Sequence, residues 1–480
     1  MKKRSLWLSA AGALGIAVAL AGCGTTTYFA GRVLPPSGLP FRVMIAIQNP
    51  SALSRGALQI VDAQNDSRYK FNSTTVTFSV SGFSGALPVS IQNMPEERLG
   101  GIYGSGDGSY SLVNYDRETS AGARGLAGTY SSIYLTRNQA YLVGANQAAH
   151  LMTISNPSSG SSISFGLPGV YRVSVNPGGS VALAFVENSN YIYYARVLTA
   201  AQSIAYSGGV ASWPRAAQDC EPQNAPSWCL YQAQSPDNID ATGTPYGAPL
   251  AFDRPVKAVF SSDGGTAYIL NCGPECGGSV ASVSVLPVGP LILTEGQQSG
   301  TLPSTGSLTT IPIPGGASNA LVTSSTMYVV GQQPLSDGLY TGNLTVLNLN
   351  NNSVTSTASI SDGIPNGPSR IIQADDNTLW IGMTKCDNGE RFAKGLPYGC
   401  LTMYNTASNS VTLLEPYVGD ATGIAAVTTL HKVYVAEGGQ VYIFSTTNGT
   451  SINNQFVEVT GTAWDVAFLD APTDAGNTVY

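Results

Sequence analysis

Arg254–Leu270, RPVKAVFSSDGGTAYIL, reads as a strand, a tight turn and a second strand. Val256, Ala258 and Phe260 are small or apolar, and Ser262-Asp263-Gly264-Gly265 supplies turn chemistry. Ala267, Tyr268, Ile269 and Leu270 form a continuous apolar run, as expected of a strand buried on both faces. The same pattern returns as YRVSVNPGGSVALAF (Tyr171–Phe185), RIIQADDNTLWIGM (Arg370–Met383) and IAAVTTLHKVYVA (Ile424–Ala436). Paired strands recurring every few tens of residues predict an all-β repeat array, a β-propeller.

Working outward, strand groups fall at about 87–124, 129–168, 170–198, 255–313, 317–362, 367–417 and 421–460. Thr462–Asp470, TAWDVAFLD, resembles an innermost strand with no partners after it. The strands at 41–80 resemble a blade lacking its innermost strand. Joining the two closes the ring and removes its free edge. Counting this composite gives eight blades in one domain over 41–480. A long turn-rich insertion spans about 199–253.

Ser261-Ser262-Asp263-Gly264-Gly265-Thr266-Ala267-Tyr268-Ile269 and Lys432-Val433-Tyr434-Val435-Ala436 resemble the recurring sentence of the YVTN-type, lactonase-like propellers. The likeness extends over most of 87–470 in degenerate form. It implies a propeller, with seven blades as the family's usual number and the alternative to eight. It transfers no activity, because propellers host many unrelated functions. Ser261–Tyr268 also fits the sialidase Asp box with Tyr in place of Trp, but it lies between first and second strands, so turn chemistry is the expected role. Quinone-cofactor propellers repeat a Trp docking motif. Here Trp213, Trp228, Trp380 and Trp464 occur in unlike contexts, and no cofactor is expected.

The chain opens with Lys2, Lys3 and Arg4, then a largely apolar Leu6–Leu20. This is the pattern of a secretory signal over 1–22. Leu20-Ala21-Gly22-Cys23 resembles the lipobox of bacterial lipoproteins, which implies lipidation at Cys23 and a membrane anchor. Gly24 after the cysteine implies sorting to the outer membrane. Residues 23–40, with Pro35-Pro36 and no periodicity, form the expected tether. The formal net charge is −7, and removing the basic leader makes the remainder more acidic. With no basic run, nucleic acid is excluded as a partner.

Beyond Cys23, six cysteines lie as local pairs: Cys220/Cys229, Cys272/Cys276 and Cys386/Cys400. In an exported chain this spacing predicts three local disulfides, although six cysteines allow 15 connectivities. Cys272 and Cys276 could offer two thiolates to a metal, but no second Cys or His pair lies near them in sequence. No metal is expected.

The two histidines, His150 and His431, form no motif with each other or with a nucleophile. No G-x-S-x-G elbow is present, so a Ser-His-Asp site has no support. One alignment does point to a site. Placing the first strands on their turns brings Arg172, Lys257 and Arg370 into one register, with Asn319 and Asp465 at the same position. Innermost strands line the central channel, so three cations are expected at one level there. Asp465 would act as partial counter-ion, and an anionic ligand is the candidate occupant. The expected function is a lipid-anchored cell-envelope scaffold that binds a protein, peptide or glycan without chemistry of its own. The alternatives are a lactonase-like or other hydrolase with its site at the channel mouth, and a structural envelope protein.

Overall fold

The Ser261–Thr266 turn closes through its own side chains. Ser261 Oγ donates to Asp263 Oδ1 (2.6 Å) and accepts from the Thr266 N–H (3.0 Å), while Asp263 Oδ1 accepts from the Gly265 N–H (2.9 Å). Gly264 sits at φ +70°, where a side chain would be strained. The flanking strands Pro255–Phe260 and Thr266–Asn271 pair antiparallel, and Ala267–Leu270 are all buried.

The computed structural model describes residues 34–70, 76–126, 128–213, 217–221, 227–235, 238–239, 245–292, 307–336, 340–361, 368–383, 394, 400–414, 419–452 and 456–474. The leader, Cys23 and most of the tether lie outside these residues. Among the described residues, eight antiparallel sheets form an eight-bladed β-propeller.

Blade 1 is the expected composite. The innermost strand Thr462–Phe468 comes from the C-terminal part of the chain, followed outward by Arg42–Gln48, Gly56–Asp62 and Phe78–Ser79. Val43 pairs with Phe468 and Ile45 with Val466. Blades 2 to 8 start from the innermost strands Pro88–Met94, Ser132–Leu135, Val170–Val175, Pro255–Phe260, Asn319–Thr323, Pro368–Ala374 and Ala421–Val427.

Part of the segment expected as an insertion after residue 198 extends blade 4. Trp228–Gln232 pairs with Ile192–Val197, and Ala217–Glu221 pairs outside it, giving five strands. The Cys220–Cys229 disulfide joins these two outer strands at directly opposed positions. Before them, the helix Ala200–Tyr206 is capped by Thr199, whose Oγ1 accepts from the Gln202 N–H (3.2 Å). A second disulfide joins Cys272 to Cys276. Cys400 is also disulfide-bonded, and Cys386 lies outside the described residues.

Two-sided burial of the strands follows from stacking blade on blade. The described residues contain eight apolar clusters, one at each interface between neighbouring blades. The cluster between blades 8 and 1 brings Tyr434 and Ile443 against Ile45, Val466 and Phe468, so the joint between the two ends of the chain is packed like the others. A buried ionic latch lies on the other side of blade 1, against blade 2. Arg42 Nε and Nη2 donate to the two carboxylate oxygens of Asp470 (3.0 and 2.6 Å), and Nη1 donates to Glu118 Oε1 of blade 2 (3.0 Å).

Candidate functional site

Each innermost strand has one position, at its start or up to three residues in, that falls in a common register. From blade 1 to blade 8 it holds Asp465, Ser90, Ser132, Arg172, Lys257, Asn319, Arg370 and Gly423. In six blades the pairing slips by one residue just before it: at Trp464, Val89, Tyr171, Val256, Ser369 and Thr422. Such a bulge bends the strand and re-aims the next side chain. The repeated bulge marks the same point in these six strands.

Arg172, Lys257, Asn319 and Arg370 line one cavity of about 510 Å³. It opens on the face carrying the connections into the innermost strands and the turns between second and third strands. Lys257 is 3% exposed, and its Nζ donates to Asn319 Oδ1 on the next blade (2.8 Å). Arg172 Nη1 donates to the Val256 carbonyl (3.4 Å), and its guanidinium lies 5.7 Å from the Tyr171 ring centroid. Burial first, then Arg172 and Arg370, hold the Lys257 amine well below the usual lysine pKa. Burial also lowers Arg172; Tyr171 opposes this and Arg370 adds to it. The mutual influence of these three groups places their charges in one electrostatic neighbourhood.

Asp465 occupies the ring position, but its carboxylate is 0% exposed and is held by main-chain amides. It accepts from the Ile91 N–H of blade 2 (2.7 Å) and from the Val466 N–H (2.9 Å). Gly423 leaves room for it, since a Cβ there would stand 2.4 Å from Asp465 Oδ1. Asp465 thus ties blade 1 to blade 2, and the groups acting on Arg172 and Lys257 are those named above.

Three further charged residues line the cavity, Glu187, Arg254 and Glu275. Arg254, at φ +59°, donates from Nε to the Gly277 carbonyl (3.3 Å) and from Nη1 to the Asn188 carbonyl. Glu275 lies in the single turn Gly273–Cys276 that the Cys272–Cys276 disulfide closes. Burial pushes its carboxyl up to about 7, against a bond from the Gln332 backbone that lowers it. Neither Arg254 nor Glu275 follows the strand repeat. The signal for Glu275 in the sequence is the CGPEC loop itself, where the acid lies between two cysteines.

The other sequence candidates lie elsewhere. His431 is exposed, with Nδ1 3.0 Å from Asp376 Oδ2, and His150 is exposed on a left-handed turn residue. Among the described residues no group of three or more His, Cys, Asp or Glu could hold a metal ion. The arrangement as a whole can bind negative charge: two guanidinium groups offer forked donors around a buried amine.

No family model matches the chain, and no curated protein does. Many solved structures match. One is a dihydro-heme d1 dehydrogenase in complex with DHE, 12% identical, covering 88% of this chain and 77% of that one at TM-score 0.48. Another is the periplasmic gluconolactonase of Pseudomonas aeruginosa, 16% identical, covering 89% and 98% at TM-score 0.40. A third is a putative 6-phosphogluconolactonase of Bacteroides fragilis, 9% identical, covering 89% and 97% at TM-score 0.45. At these identities and TM-scores the matches carry no argument about what this chain does or binds.

Proposed function

We propose that the chain is an extracytoplasmic binding propeller, lipid-anchored at Cys23, whose channel-mouth cavity takes an anionic group. The group can be a free carboxylate or phosphate, or an acidic terminus on a protein, peptide or glycan. The observation that carries this reading is the convergence of Arg172, Lys257 and Arg370, with Asn319, on one cavity. Calorimetric titration of the mature protein with inorganic phosphate tests it. Arg370→Glu is expected to weaken binding at least tenfold, because a charge-assisted hydrogen bond is worth ~1.5–3 kcal/mol. Raising the salt concentration should weaken the wild type as well. Equal affinity in wild type and variant sinks the proposal.

The two disulfides among the described residues support an oxidising compartment. The lipobox supports the anchor. Cys23→Ser is expected to abolish acylation and partitioning into detergent. A variant that still fractionates with membranes through an uncleaved leader contradicts the lipidation.

Glu275 favours a second reading, hydrolysis of a lactone or ester at the same mouth. A carboxyl that burial pushes up to about 7, on the wall of the cavity the cations line, suits general acid–base work. Under that reading Glu275→Gln loses lactone hydrolysis while keeping phosphate binding.

A further inference from the structure

The cavity holds an amine in an unusual setting. Lys257 is buried, faces the cavity, and has Asn319 Oδ1 as its polar partner. Among the described residues no carboxylate forms an ion pair with it. The Arg172 and Arg370 guanidinium groups act against its charge, and Glu187, Arg254 and Glu275 line the same cavity. A lysine that only served to join blades 5 and 6 would not need cations beside it, since they oppose its charge.

We propose that Lys257 captures carbonyl-bearing anions by reversible imine formation, with Arg172 and Arg370 holding the carboxylate or phosphate of the same molecule. This rests on the anion-binding reading and names the ligand class, a 2-oxo acid or an open-chain sugar phosphate. The chemistry follows from the setting. Only an uncharged amine attacks a carbonyl, and burial with neighbouring positive charge favours that form. The two arginines stay charged throughout, so the site offers a neutral nucleophile and a fixed anion clamp together.

The step balances without an added reagent. The Lys257 Nζ lone pair forms a bond to the carbonyl carbon, and a proton passes from nitrogen to the former carbonyl oxygen. The carbinolamine then loses that oxygen as water, taking the second amine hydrogen, and a C=N bond remains. Glu275, on the wall of the same cavity, is the carboxyl available to protonate the departing hydroxyl. Hydrolysis reverses the sequence and releases the ligand unchanged.

The test is reductive trapping on the intact mature protein. Pyruvate and, in a second arm, glyceraldehyde 3-phosphate are incubated with the protein and cyanoborohydride, and peptides are mapped by mass spectrometry. The expected result is a single adduct at Lys257, suppressed by excess phosphate. A neutral aldehyde of similar size should trap there at least tenfold less. The arm that labels faster identifies which of the two sources the cavity prefers. Lys257→Arg removes the nucleophilic amine, and it should lose the adduct while its thermal unfolding shows the fold intact. Adducts spread over surface lysines, or unchanged in Lys257→Arg, overturn the proposal. Phosphate binding without any adduct overturns imine formation and leaves the anion site standing, whereas loss of both in the wild type overturns the site itself.

Discussion

Arg42→Ala is expected to remove about 3–5 kcal/mol of unfolding free energy. Arg42 is 3% exposed, and Asp470 and Glu118 are 2% and 6% exposed. The guanidinium grips Asp470 with two nitrogens, and Nη1 reaches both Glu118 and the Tyr115 carbonyl (2.5 Å). The Arg42 N–H also donates to Asp470 Oδ2 (2.8 Å). Burial alone would lower the pKa of this arginine, but the bonds to Asp470 and Glu118 outweigh it and raise the value. Truncation leaves two carboxylates in a dry site without their cation, and that uncompensated burial is what costs free energy. The latch also joins the two ends of the chain to blade 2, so ring closure should suffer with it. Denaturant unfolding at unchanged m value measures the loss. A loss under ~1 kcal/mol would mean that the apolar blade 8–blade 1 cluster closes the ring unaided.

Glu437→Gln is expected to act in the opposite direction, and only at high pH. Glu437 is 2% exposed at the end of the second strand of blade 8, and among the described residues its Oε1 has no hydrogen-bond partner. Burial pushes its carboxyl up from 4.5 to about 8. Between these values the folded chain holds a proton that the unfolded chain has released. Stability therefore falls as pH rises through this window, and the penalty is complete above about 8. At 1.36 kcal/mol per unit the ceiling is on the order of 4–5 kcal/mol. Glutamine removes the charge and nearly keeps the shape. The variant should match the wild type near pH 4 and exceed it by a few kcal/mol at pH 9. Parallel stability curves for the two proteins across that range would contradict the assignment.

These two groups mark where the sequence stops being readable. The strand–turn–strand sentences carried the blade count, and the unpartnered TAWDVAFLD carried ring closure, because turn chemistry and apolar runs are local signals. The register of Arg172, Lys257, Asn319 and Arg370 was legible for the same reason: each lies at a fixed offset from a recognisable turn. The bulges at Tyr171 and Val256 were not, since in short strands with buried residues on both faces no residue type marks a one-residue slip. Asp465 shares the register, but nothing local announced that the Ile91 amide of the neighbouring blade would claim its carboxylate. The pairing of Arg42 with Asp470 spans nearly the whole chain, and no periodicity encodes it. Glu275 belongs to a disulfide-closed turn and Arg254 to a connection, so neither follows the repeat. The five-stranded blade 4 was hidden because the strands Ala217–Glu221 and Trp228–Gln232 are short and polar-flanked within a turn-rich segment.

The central claim is that an anion sits among the cations at the channel mouth. Anomalous diffraction from crystals of the mature protein soaked in selenate tests it most directly. The expected result is one strong selenium peak inside the cavity, within hydrogen-bond distance of the Arg172 and Arg370 guanidinium groups, and no peak there in Arg370→Glu crystals under the same soak. A cavity empty of selenium in the wild type, with peaks confined to exposed lysines and arginines elsewhere, would contradict it.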